Sequence, residues 1–101
     1  MTFFDSEVIT VASGDIDTLT AATYDGDPGA GKARRAVITC FTANVAYTLD
    51  GENPDTATNA YHLLTAGGTP LTIDGYDNIV NFKAKLVSGS TSAKLFVSYA
   101  R

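Results

Sequence analysis

The chain has 101 residues with seven Lys+Arg, eleven Asp+Glu, one His, one Cys and no Trp, giving a net charge of −4. That length allows one small domain and excludes a multidomain enzyme, while a single Cys40 and a single His62 exclude an internal disulfide and a Cys/His zinc site. The acidic balance argues against nucleic acid and anionic membrane as partners, because both are bound through basic surface. No apolar run approaches the ~18 residues of a membrane helix, and Met1–Asp5 carries no basic, apolar leader, so a cytoplasm-like compartment of synthesis is expected.

Taken in order, the segments read as β-strands near residues 7–12, 18–24, 34–41, 44–49, 61–65, 70–73, 79–87 and 93–100. The signal is two-residue alternation in runs rich in Thr, Val, Ile, Tyr and Phe. Asp-Gly at 25–26, 50–51 and 74–75, Gly-Gly at 67–68 and Ser-Gly-Ser at 88–90 supply the turns between them. Within 15–24, Asp15 or Asp17 is also placed to cap a single helical turn. Val45, Tyr47 and Leu49 share one face of their strand. In 79–87, Phe82, Ala84 and Leu86 oppose Asn81, Lys83 and Lys85, and Ala93, Leu95, Val97 and Tyr99 alternate with Lys94, Phe96 and Ser98, which predicts a terminal β-hairpin. The whole chain, 1–101, is therefore expected to be one all-β domain: an antiparallel β-sandwich, jelly-roll-like, of about eight strands, with residues 1–7 as a candidate N-terminal arm.

The residues that invite chemistry each have a plainer reading. Gly26–Lys32 matches the G-x-x-x-x-G-K core of a phosphate-binding loop, but Ala33 replaces the metal-binding hydroxyl and a strand follows instead of a helix. His62 has no second His and no nucleophile signature near it and reads as a partly buried structural histidine. Asp25/Asp27 and Asp50/Glu52/Asp55 lack calcium-loop spacing and read as turn residues. Tyr47, Tyr61, Tyr76 and Tyr99 are candidates for a sugar-binding platform, with packing in or at the rim of the core as the simpler role. No cofactor, metal or catalytic set is expected.

Two features point to contacts between proteins. Lys32, Arg34 and Arg35 form one basic cluster, too small for nucleic acid and read as either a solvated strand start or one half of a subunit contact. Residues 1–31 hold six acids and no base, whereas 78–101 hold four bases and no acid, so complementary edges are expected, within one sandwich or between neighbours through Lys83 and Lys85. Phe3 and Phe4 are either apolar anchors on an arm or lids on the domain's own core.

Ala36–Thr39, Ala46–Gly51, Pro54–Thr58, Tyr61–Gly68, Ile79–Ala84 and Ala93–Tyr99 together resemble a class of small β-sandwich structural proteins of tailed bacteriophages, over about two thirds of the chain. The resemblance implies a non-enzymatic virion component, made in the host cytoplasm and carried on the particle. It favours capsid decoration or stabilisation, with neck or tail placement as the alternative within that class and a carbohydrate-binding adhesion module outside it. The partners it implies are capsid or other virion proteins and further copies of the chain. The interface residues expected are Phe3, Phe4, Lys32, Arg34, Arg35, Lys83 and Lys85.

Overall fold

A computed structural model describes residues 3–12, 14–25, 32–56, 58, 60–87 and 92–101. Its strands are β1 Phe3–Val11, β2 Asp17–Thr18, β3 Arg35–Phe41, β4 Val45–Thr48, β5 His62–Leu64, β6 Leu71–Asp74, β7 Lys83–Leu86 and β8 Ala93–Ala100, with short helices α1 Ala21–Tyr24 and α2 Tyr76–Asn81. They form two four-stranded antiparallel sheets, β1-β8-β3-β6 and β2-β7-β4-β5. The pairs β1·β8, β2·β7, β3·β6 and β4·β5 are the rungs of one long antiparallel ribbon. Wrapping that ribbon adds β3·β8 and β4·β7, a jelly-roll-like sandwich.

Alternation explains which side chains meet between the sheets. Ala36, Ile38 and Cys40 of β3 and Ala93, Leu95, Val97 and Tyr99 of β8 point inward, opposite Val45, Leu64, Ala84 and Leu86 of the second sheet, in one contiguous core. Arg35, Val37, Thr39 and Phe41 take the other face of β3. Ala46 belongs to an outward row yet is fully covered; Lys85 and Leu63 flank it across the two ladders, and a small residue there lets the longer neighbours close over it.

Four expectations need correction. The 18–24 strand is only Asp17–Thr18 followed by α1, whose first residue follows Thr20. The Thr20 hydroxyl donates to Glu7 Oε1 and makes no cap hydrogen bond to the helix. Residues 79–81 lie in α2, not in a strand: Gly75, at φ 96°, turns the chain into it, and Ile79 N–H bonds Gly75 O at 3.2 Å. β7 and β8 are not a hairpin, since they lie in different sheets; their Ser88–Ser90 connection lies outside the described residues. From Phe3 onward the candidate arm is an edge strand paired with β8, with the register shifted between Phe3 and Asp5.

The registers define two ends. Phe3, Ala100, Arg35 and Asp74 form one row across the first sheet. α2 joins that end of β6 to the Thr48/Lys83 end of the second sheet, so both helices lie at this "helix end". The opposite "turn end" holds, among the described residues, 12, 14–16, 42–44 and 65–70.

Candidate contact surface at the helix end

The two phenylalanines separate. Phe3 is 54% exposed beside Ala100, whereas Phe4 is partly buried against the core, with the Arg101 guanidinium 4.0 Å above its ring. The register shift at the start of β1 turns these adjacent rings to different environments. Across the same row the Arg35 guanidinium pairs with Asp74. Ala100, between Phe3 and Arg35, is fully covered despite lying in the outward set.

Arg34 is held by its backbone. Its N–H donates to Ala100 O at 2.8 Å and its carbonyl accepts from Gly75 N–H at 2.7 Å, while the residue itself is exposed. Lys32 Nζ stands 4.7 Å from the Tyr76 ring centroid, a cation–π contact. Tyr76 donates to Asp25 Oδ1 at 2.6 Å; that hydrogen bond, with lesser help from burial and the charge of Asp25, pushes the phenol up to about 12. Tyr24 packs edge-on against Tyr76. Phe3, Lys32, Arg34, Arg35 and Arg101 thus share one end, drawn from three separate stretches of chain. The Gly26–Gly31 stretch of the loop lies outside the described residues.

Lys83 and Lys85 are elsewhere, on the outer face of β7, where Lys83 Nζ donates to Asn53 Oδ1 at 3.3 Å. β2 does run beside β7, but Asp17 pairs with Ala84 and so takes the inward side, away from both lysines. One of its carboxylate oxygens is sealed without a partner, and burial, helped by nearby Asp15, raises its pKa. The acidic and basic ends of the sequence therefore lie side by side without Asp17 meeting Lys83 or Lys85.

The remaining reactive types are placed as follows. Cys40 is buried, its thiol donates to Ala43 O at 3.1 Å, and burial raises its pKa, all of which oppose thiolate chemistry. His62 is exposed, not partly buried, and its ring lies 5.4 Å from that of Tyr47. Tyr99 is fully buried and donates to Glu7 Oε2 at 2.6 Å, with burial the first cause of its strongly raised pKa. Among the described residues no group of three or more His, Cys, Asp or Glu side chains is placed to hold a metal, and no helix is long and apolar enough to cross a membrane.

Sequence reasoning missed two surface features. Val8 and Phe96 are cross-strand neighbours on the outer face of the first sheet, 62% and 43% exposed; the outward row of 93–100 had already marked Phe96. A cleft of about 610 Å³ opens at the helix end of the second sheet; Asp50-Gly51 signalled only the turn that borders it. Comparisons with protein-family models, curated proteins and solved structures gave no match.

Proposed function

We propose that the protein is a non-enzymatic structural component of a tailed-bacteriophage virion, serving capsid decoration or stabilisation through protein–protein contacts. The observation that carries this reading is the gathering of Phe3, Lys32, Arg34 and Arg35 at one end of the sandwich. Aromatic and arginine side chains are the types that dominate interfaces, and here Arg34 projects from a backbone fixed on both sides, so docking orders little that is not already ordered. The resemblance of residues 36–99 to phage sandwich proteins supplies the context, and the exposed Val8/Phe96 pair offers apolar area for contacts between copies.

Antibody-labelled electron microscopy of intact particles tests the placement. Label over the head surface is expected; label at the neck or tail selects that alternative, and particles without label refute the virion reading. Copies are expected to associate at micromolar concentration in sedimentation experiments. If Lys83 and Lys85 meet acids of a neighbouring copy, added salt weakens that association, and a salt-independent constant removes those lysines from the contact.

A further inference from the structure

The cleft in the β4–β5 connection has a chemistry of its own. Its walls include Tyr61 and His62, and Asp50, Glu52 and Asn53 also line it, with no Lys or Arg among the described lining residues. An anionic ligand would meet two lining carboxylates there, with Lys83 reaching only the rim at Asn53 Oδ1. A volume of about 610 Å³ is that of a small-molecule site. The polar groups are complementary to hydroxyls, which both donate and accept: Asp50 and Glu52 bring acceptors, and Asn53, whose amide oxygen already takes Lys83, keeps its NH₂ to donate.

The cleft is also set before any ligand arrives. Glu52 N–H donates to Asp50 Oδ1 at 3.1 Å, the Thr48 hydroxyl donates to Glu52 O, and Gly51 N–H donates to Asn81 O at 3.2 Å. Gly51, at φ 83°, permits the turn that brings these carboxylates together. Asp55 and Ala60 close the connection with two backbone hydrogen bonds. The His62 ring rests against Tyr47, which itself stacks on buried Phe82 at 5.7 Å, so one wall is anchored in the core. Rings with an apolar face beside convergent hydroxyl partners suit a sugar, which has an apolar ring face and a polar rim.

We propose that this cleft binds a neutral sugar residue, its ring against Tyr61 and His62 and its hydroxyls among Asp50, Glu52 and Asn53. The inference goes beyond the structural role and does not depend on it. The test is an amide chemical-shift titration of the whole protein with glucose, galactose, mannose and N-acetylglucosamine, each in turn. At least one sugar is expected to shift the amides of 50–53 and 61–62, with a dissociation constant of about 1–10 mM. Tyr61→Ala and Asp50→Asn should each weaken it by about tenfold or more, Tyr61→Phe should retain it, and Arg34→Glu should leave it unchanged. Spectra that do not respond to any of the four sugars overturn the proposal, as does sugar binding that survives both Tyr61→Ala and Asp50→Asn. Lysine- or arginine-bearing peptides that shift the same amides where sugars do not would also overturn it, making the cleft a peptide pocket.

Discussion

At the turn end three residues, 42–44, carry the chain from β3 to β4 and six, 65–70, carry it from β5 to β6. At the helix end the connections run through α1, through a β4–β5 connection whose described residues are 49–56, 58, 60 and 61, and through α2, and that end holds the Phe3/Arg34/Arg35 cluster and the cleft. Both ends close one core, but of these connections those at the helix end have the more chain for shaping a surface. The turn end shows the cost of brevity: Thr42 sits at φ 83°, a conformation that a β-branched residue adopts only under constraint. Economy of connection strains one end, and length at the other shapes the surface on which both proposals rest.

The core that both ends share should give the largest effects. Phe82→Ala near the helix end and Leu95→Ala nearer the turn end remove fully buried side chains and should cost about 3–5 and 2–5 kcal/mol respectively. Each should give a single urea transition; two transitions would mean that the ends fold separately. Glu7 accepts from the Tyr99 hydroxyl and from both the N–H and hydroxyl of Thr20, tying the first sheet to the start of α1. Glu7→Ala orphans a buried phenol and should cost about 1–3 kcal/mol by urea unfolding; a neutral result would remove this tie from the account of the helix end.

Alkaline unfolding sharpens the same point. Tyr99 has a pKa raised in the folded state from the ordinary 10.0, so its protonated form supports the fold fully below pH 10. Above that, the unfolded chain loses the proton first, and stability should fall by about 1.4 kcal/mol per pH unit for this group. Tyr99→Phe should make the slope shallower by that amount; an unaltered slope would assign the alkaline loss to other groups. Thr42→Gly at the turn end should stabilise by about 1 kcal/mol, strain relief outweighing the added freedom of the unfolded chain, and a melting temperature that does not rise would show the turn to be unstrained.

The smallest stability effects carry the largest functional contrast. Arg34→Glu and Lys94→Glu are both exposed changes, expected to shift stability by less than about 0.5 kcal/mol. On the proposed virion role, co-sedimentation with phage particles should fall for the first and hold for the second. Equal losses would mean that docking does not distinguish the two ends.

How far the sequence reveals this depends on whether a feature is local. The rows of β3 and β8 were legible because alternation is written along the strand. The start of β1 was not, because the shifted register between Phe3 and Asp5 interrupts the period. α2 was hidden because six residues are too few for a helical period and Ile79–Phe82 continues smoothly into the alternation of β7. A short connection between two one-faced strands fits a hairpin and a crossing between sheets equally well, so the partners of β7 and β8 could not be read from either strand. The basic cluster at 32–35 was visible as such. Its placement at the same end as Phe3 was not, since that depends on β8 pairing with β1 on one side and β3 on the other.

That position of β8 also governs how the fold is reached. Its two ladders join residues 93–100 to residues 3–11 and to residues 35–41, so the first sheet cannot close until segments more than eighty positions apart have met. During synthesis β1 emerges long before the strand that covers one of its sides, leaving its backbone groups to water or to other nascent chains. Folding is then expected to be slow for a chain this small, and crowded synthesis to be the moment at which copies are most prone to pair in the wrong way.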